Sequence, residues 1–186
     1  LIILEDDCIP RKEFFSFMIK MLNSKIYNKK IGAICGYQFP KIHDQKSSNL
    51  YPLILNYFIP WGWAIKSKQW RDYRKKSYLK NNKNKSDSNI LKNLKKLKKI
   101  KKNGREIWSL NFIIYNFIKN YSFIFPSKSL VKNIGFDGSG VNSKLTSQFN
   151  TFYTSTKKIV KNKIIKNKKV QKTQEKILLS SIKYFY

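Results

Sequence analysis

The sequence predicts an α/β fold in which helices flank a mostly parallel β-sheet. Two short apolar runs, at residues 1–4 and 31–37, have the length and the isoleucine content of strands that are buried on both faces. Between them, apolar residues recur at helical spacing. A strand, a helix and a second strand in this order are typical of a parallel sheet with helical crossovers.

The first helix is predicted to begin at Pro10, because proline suits the first turn of a helix. We expect its core face to carry five apolar residues, namely Phe14, Phe15, Met18, Ile19 and Leu22. A second buried strand should then run from Ile31 to Tyr37.

The remaining elements follow from the same periodicities. Residues 38–50 are polar and contain Pro40, which predicts a loop. A helix is predicted from Ser67, with that serine as its N-cap. The other predicted elements are a strand at 53–59, an amphipathic helix at 106–119, a short strand at 122–126, and a strand followed by a glycine loop at 129–140.

Two segments differ from the rest in composition. Residues 74–104 are rich in Lys and Asn and carry only a weak apolar stripe, so we interpret them as a basic helical insert or linker. The chain beyond Lys144 is rich in Thr, Lys and Asn. We therefore predict a folded part at residues 1–144 and a C-terminal tail at residues 145–186.

The net charge of +29, from 39 basic and 10 acidic residues, indicates which kinds of partner the protein could bind. Nucleic acid, an anionic membrane surface and the compositional drift of an AT-rich coding sequence would each explain it. Arginine, which phosphate and base recognition favours, occurs at few positions: Arg11, Arg71, Arg74 and Arg105. Drift is therefore favoured over membrane attraction, and nucleic acid is the least favoured.

The cysteines and the apolar stretches indicate the compartment. Cys8 and Cys35 lie in apolar surroundings without CxxC spacing, which is typical of small buried residues in a reducing compartment. The longest uncharged stretch, residues 51–65, is too short for a membrane-spanning helix and contains two prolines. No signal peptide is recognisable. We expect a cytoplasmic, non-spanning protein.

Three acids, Glu5, Asp6 and Asp7, directly follow the first apolar run. In a parallel sheet, this is the end of a strand at which ligands bind. Adjacent carboxylates repel one another and are costly to desolvate, and a divalent ion such as Mg²⁺ or Mn²⁺ removes that cost. Alternatively, acids just before Pro10 suit the dipole of a helix N-terminus without any ligand. The residues alone leave both interpretations open.

The stretch "LEDDCIP...FFSFMIKML" resembles the metal-binding strand end of GT-A nucleotide-sugar glycosyltransferases, in which an acidic DXD-type triplet leads into a helix. The best likeness is to bacterial family 2-like sugar transferases of surface-polysaccharide clusters, and a more distant one is to the Golgi N-acetylglucosaminyltransferase I type. It continues in order through "IGAICGY", "PWGWAIKSKQW", "EIWSLNF" and "PSKSLVKNIGFDGSG", over residues 1–141.

The resemblance implies a GT-A-like, Rossmann-like sheet of which residues 1–144 form the C-terminal part. The N-terminal half of such a domain, which binds the nucleotide, would be missing from this chain, so we expect a truncated catalytic domain.

The resemblance also implies roles for single residues. Asp7, the last acid of the triplet, would coordinate Mn²⁺ or Mg²⁺. Donor and acceptor contacts would come from Glu5, Asp6, Trp61, Gly62, Trp63 and Gly135. Among these, the acids would contact the ribose or the sugar, the tryptophans would form a wall of the sugar site, and Gly135 would open a loop over it.

The catalytic base is less clearly marked. In the Golgi-type relatives it is an Asp just after a Trp that matches Trp108, whereas this chain has Ser109 and Leu110. The candidate bases are therefore Glu106 and Asp137. Glu106 could instead be a first-turn residue that suits the helix dipole, and Asp137 a turn former.

The function implied is metal-dependent transfer of a sugar from a nucleotide-sugar donor to a surface-polysaccharide or lipid-linked acceptor. The lysines would hold the protein peripherally at the anionic inner membrane, and no specific nucleic acid is expected. One alternative is a basic nucleic-acid-binding module that uses Lys with interleaved Tyr and Phe, which leaves the acidic triplet unexplained. The other is an inactive remnant of a transferase.

Overall fold

The structure, a computed structural model, describes residues 1–40, 47–75, 108–138, 145–151, 156 and 158–160, and it is a mixed α/β fold. The helices are α1 (Phe14–Leu22), α2 (Ser67–Arg74) and α3 (Trp108–Ile118). The strands are β1 (Ile2–Ile3), β2 (Cys8–Pro10), β3 (Ile31–Cys35), β4 (Asn49–Leu50), β5 (Pro52–Leu55), β6 (Trp63–Ala64), β7 (Ser122–Pro126), β8 (Val131–Asn133) and β9 (Lys158–Ile159).

Within these residues, the main sheet has five strands in the order β1-β6-β3-β7-β5. Only the β3–β7 pair is parallel, while β6 is antiparallel to β1 and β3, and β5 is antiparallel to β7. The prediction of a mostly parallel sheet is therefore wrong. Apolar runs indicate that a strand is buried but not which way it runs, and the two residues of β6 give no cue to direction.

Three strands nevertheless share one direction. Because β6 is antiparallel to both β1 and β3, those two strands run the same way, and β7 runs with them. Their carboxyl ends therefore meet at one side of the sheet, where β6 also begins. We call this side the carboxyl edge.

The first helix begins later than predicted, at Phe14, because Pro10 belongs to a strand. β2 pairs with β8 in an antiparallel two-stranded ribbon, in which Cys8 faces Asn133 and Pro10 faces Val131. A proline holds the residue before it in extended conformation and donates no backbone hydrogen bond, so it suits the end of a strand.

The core face of α1 is also turned from the predicted one. Its buried residues are Phe14, Phe17, Met18 and Met21, which follow the helical repeat i, i+3, i+4, i+7. Phe15 and Ile19, both expected in the core, are 50% and 52% exposed.

Several other elements lie where the sequence predicts them. β3, α2, α3 and β7 fall within or close to their predicted ranges, and all of β3 is buried. The N-cap position of α2 is Lys66 rather than Ser67, and it makes no side-chain capping bond. The strand predicted at 53–59 is the shorter β5, and the predicted loop at 38–50 contains β4.

The described residues beyond 144 pack against the rest of the protein. Phe149 is buried, and its carbonyl oxygen accepts a 2.8 Å hydrogen bond from the Tyr37 hydroxyl. Farther on, β9 pairs in parallel with β4. The predicted insert, apart from Arg74 and Lys75, lies outside the described residues, as do residues 161–186.

No helix in the described part of the chain is long and apolar enough to cross a membrane.

Gly62 is a point of close approach between several elements. Its φ of +62° lies in the left-handed region, and its carbonyl oxygen accepts a 2.7 Å hydrogen bond from the N–H of Gly36. A Cβ at Gly62 would lie 2.6 Å from Cγ2 of Val131 and 3.0 Å from Cε2 of Phe14. Only glycine adopts this backbone conformation without strain and also fits in the space available.

We therefore expect Gly62→Ala to lower the free energy of unfolding by about 2–4 kcal/mol, because strain and overpacking add. The matched control is Gly138→Ala, where φ is +94° but the nearest atom to a Cβ is 4.0 Å away. There we expect strain alone, about 1 kcal/mol. Urea unfolding followed by tryptophan fluorescence measures both, and equal losses would contradict the packing argument.

Candidate metal and substrate site

The three acids lie on a tight turn between β1, which belongs to the main sheet, and β2, which belongs to the ribbon. The N–H of Cys8 donates a 3.0 Å hydrogen bond to the carbonyl oxygen of Glu5, which closes the turn with Asp6 and Asp7 at its corners. Asp6 is exposed, whereas Glu5 and Asp7 are partly buried. The turn thus separates one outward acid from two inward ones.

This geometry tests the interpretation that the acids stabilise the N-terminus of a helix. α1 begins at Phe14, and the whole of β2 lies between the acids and that helix. The acids are therefore not first-turn residues that stabilise a helix dipole, and that interpretation is wrong.

Asp7 packs directly against Gly135, in the glycine-rich stretch that follows β8. The N–H of Ile134 donates a 2.8 Å hydrogen bond to the carbonyl oxygen of Asp7, which extends the ribbon by one step. A Cβ at Gly135 would overlap Oδ2 of Asp7 and lie 3.1 Å from its Cβ and Cγ. The absence of a side chain at Gly135 is what lets the Asp7 carboxylate sit there.

Glu5, Asp7 and Cys8 form a group that could hold a metal ion. Each offers one ligand atom, and these atoms lie within 4.8 Å of one another. The Cys8 thiol donates a 3.5 Å hydrogen bond to Oδ1 of Asp7, and Nδ2 of Asn133 lies 4.0 Å from the sulfur. Two carboxylates at this spacing suit a hard divalent ion.

The electrostatics of this group are unfavourable without a cation. Burial, together with the negative charges of Asp7 and Asp6, raises the pKa of Glu5 to about 7. Burial also raises the pKa of the Cys8 thiol, and Asp7 and Glu5 act in the same direction. Among the described residues, every cause that acts on the pKa of Glu5 disfavours its charged form, and none is a basic side chain.

The two tryptophans of "PWGWA" go to different clusters. Trp61 contacts the rings of Tyr37, Phe136 and Phe149, with centroids 4.6, 5.2 and 5.5 Å away. Since Phe136 follows Gly135 directly, Trp61 lies behind the glycine stretch that touches Asp7. It is 5% exposed.

Trp63 is a core residue, 1% exposed. Its ring contacts are with Phe58, Trp70, Trp108 and Phe112. The expectation that both tryptophans present an indole face to a sugar is therefore corrected, because both rings are covered by other side chains. Gly62 between them touches Leu4, Phe14 and Val131, so it joins β1, α1 and the ribbon.

Of the two candidate bases, Asp137 lies in the glycine stretch that follows β8 and Glu106 lies outside the described residues. Asp137 is exposed in the turn after β8, two residues beyond Gly135. Ser109 and Leu110, at the position where the resemblance would place a base, are 7% and 2% exposed in α3. His43 also lies outside the described residues.

Two residues of the site were not predicted from the sequence. Cys8 was interpreted only as a small buried residue, and both cysteines are indeed free and buried, but its sulfur belongs to the ligand group. Asn133 is 3% exposed, and its Oδ1 accepts a 2.8 Å hydrogen bond from the N–H of Gly135. An Asn two residues before a Gly is a turn signal that could have identified it.

Comparison with models of protein families found no match to this chain, and comparison with curated proteins found no match either.

The raised pKa of Glu5 predicts a pH dependence of stability in the absence of metal. The folded state holds a proton up to a pH of about 7, whereas the unfolded chain releases it near 4.5, so the free energy of unfolding falls as the pH rises between these values. Because Glu5 is partly exposed, we expect a fall of about 1–2 kcal/mol. Glu5→Gln should abolish it.

Urea unfolding in EDTA at both ends of that pH window measures the effect. Asp72→Asn, an exposed acid of α2, is the control and should keep the fall. A fall that survives in Glu5→Gln would place its origin elsewhere.

Proposed function

We propose that this chain carries the metal-binding part of a glycosyltransferase site, which moves a sugar from a nucleotide-sugar donor to a surface-polysaccharide or lipid-linked acceptor. The observation that carries the proposal is the contact of Asp7 with Gly135. "EDD" and "NIGFDGSG" both take part in the resemblance to GT-A glycosyltransferases and are far apart in the sequence. Asp7 of the first stretch and Gly135 of the second are in contact in the structure.

A third stretch of the resemblance reaches the same place. Gly62 of "PWGWA" touches Leu4, which precedes the acids, and Val131, which lies in the ribbon. Trp61 packs on Phe136 of the glycine stretch. Three separate stretches thus meet at the carboxyl edge, where ligands bind to sheets whose strands share a direction. This convergence supports a GT-A-type domain as part of the proposal.

The residues present fit a divalent ion. Asp7 and Glu5 would hold it through carboxylate oxygens, with the Cys8 sulfur beside them. Carboxylate ligands favour Mg²⁺ or Mn²⁺ over softer metals. The ion would also offset the burial and the repulsion that raise the pKa of Glu5. Once bound, it would neutralise the negative charge that develops on the departing diphosphate.

The protein's own groups would divide the remaining work. Asp6, exposed at the corner of the turn, can accept hydrogen bonds from hydroxyls of the ribose or the sugar. Asp137 is the carboxylate near the glycine stretch that can take the proton of an attacking acceptor hydroxyl, as an inverting reaction requires.

Titration calorimetry with Mn²⁺ tests the proposal first. We expect Mn²⁺ binding by the chain, and a loss of affinity of at least tenfold in Asp7→Asn because one of two carboxylates is removed. Asp72→Asn, with the same charge change on α2, should bind as the parent does. Release of nucleoside diphosphate from a panel of nucleotide sugars, measured on the complete reading frame, should then require Mn²⁺.

Unchanged Mn²⁺ affinity in Asp7→Asn would overturn the metal site. Mn²⁺ binding without any metal-dependent binding or cleavage of a nucleotide sugar would leave an inactive remnant. Binding of oligonucleotides that weakens steeply with salt and needs no Mn²⁺ would favour the nucleic-acid module.

Gly135→Ala provides an independent prediction on the same site. A Cβ there would overlap the Asp7 carboxylate and displace it, so we expect Mn²⁺ affinity to fall by about tenfold or more. Gly138→Ala, where a Cβ would make only an ordinary 4.0 Å contact with Leu145, is the control and should change the affinity little. Equal Mn²⁺ affinities for the two variants would mean that metal binding does not depend on the packing of Asp7 against Gly135.

A further inference from the structure

The outer face of the β2–β8 ribbon is exposed and apolar, beside the candidate metal site. Cys8 and Pro10 point inward with their partners Asn133 and Val131, so the alternate residues point outward. Ile9 is 49% exposed and Ile134 is 40% exposed. Ile9 faces Lys132, which is also exposed, and Ile134 follows two residues later on the same side. We call Ile9, Lys132 and Ile134 the ribbon face.

We propose that the ribbon face docks on the surface of an anionic lipid bilayer and thereby presents the carboxyl edge to membrane-held substrates. An isoleucine pair with a lysine between its members suits the interface between headgroups and acyl chains. The chain as a whole carries a net charge of +29, which draws the protein toward anionic lipid.

The same charge argues against the other occupants of an apolar face. Two copies of a chain with a charge of +29 repel each other, so a face shared between copies would have to overcome that repulsion. A nucleic acid would satisfy the lysines but would gain nothing from two exposed isoleucines, since its affinity comes from phosphate contacts. An anionic bilayer accommodates both features.

The position of the face fits its use. Ile134 is bonded through its N–H to Asp7, so the face adjoins the acids. A protein that rests on this face holds its acidic turn at the level of the headgroups, where a lipid-linked acceptor carries its reactive end. This use rests on the proposed function, whereas the docking itself does not.

The test is flotation of the chain with vesicles, without Mn²⁺ and without nucleotide sugar, so that docking and catalysis can fail separately. Vesicles of equal parts phosphatidylglycerol and phosphatidylcholine should carry the protein, and vesicles of phosphatidylcholine alone should not. The double variant Ile9→Ser with Ile134→Ser should bind about tenfold more weakly, from the apolar area that is no longer buried. Lys132→Gln should bind about fivefold more weakly.

Two control variants lie at the opposite edge of the sheet. Leu1, 52% exposed, precedes β1 at its amino end, and Lys68, also exposed, lies in the helix that follows the carboxyl end of β6. Because β6 is antiparallel to β1, both positions are remote from the carboxyl edge. Leu1→Ser and Lys68→Gln should each change vesicle affinity less than twofold.

Three results would overturn the proposal. If Lys132→Gln weakens binding and the double serine variant does not, the protein binds polyanions through its charge alone and the isoleucines do not enter the bilayer. If the controls weaken binding as much as the ribbon variants, no single face docks. If sedimentation shows self-association that the double serine variant abolishes, the face belongs to a second copy. Far-ultraviolet circular dichroism confirms that each variant is folded.

Discussion

The close approach of two backbones, at Gly36 and Gly62, is the constraint on which the site depends. The N–H of Gly36 reaches the carbonyl oxygen of Gly62 at 2.7 Å, at the point where β3 ends and β6 begins. Side chains from β8 and α1 fill the remaining space, since Val131 and Phe14 both touch Gly62. Any side chain at Gly62 would push the ribbon away from the sheet. The acids lie on the turn that joins these two layers, so their position follows from how closely the layers pack.

That turn also explains why adjacent acids can differ in environment. A strand would place them on alternate faces and a helix would spread them around its axis, whereas the turn directs one outward and two inward. The inward pair meets the glycine stretch and the Cys8 thiol, in surroundings that disfavour negative charge. The fold therefore brings the acids together at a cost in free energy, and no basic side chain of the described residues is among the causes that act on the pKa of Glu5. The metal of the proposed function would offset that cost.

The sequence predicted where the acids lie and failed on how the strands run. An apolar run followed by acids specifies a buried strand and its end, so the placement of Glu5–Asp7 beyond β1 could be predicted. Strand direction depends on partners that are distant in the chain, and for this reason the antiparallel β6 was missed. The start of α1 was missed because Pro10 suits a strand end as well as a helix start, and pairing with Val131 decides between them. Likewise, the burial of Trp63 depends on rings from α2, α3 and Phe58, which no local pattern reveals.

The error on the core face of α1 has a cause that bears on function. Hydrophobic periodicity assigns every apolar residue near a helical stripe to the core, and it therefore assigned Phe15 and Ile19 there, although about half of each side chain is exposed. The core does not require Phe15 or Ile19, because Phe14, Phe17, Met18 and Met21 already fill it. A lysine-rich surface does not require them either, since its charged side chains are enough to keep a protein in solution. Exposed apolar residues are informative when they adjoin a site. Ile134 meets that condition, since its backbone is bonded to Asp7, and this adjacency gives the ribbon face a meaning that scattered exposed residues lack.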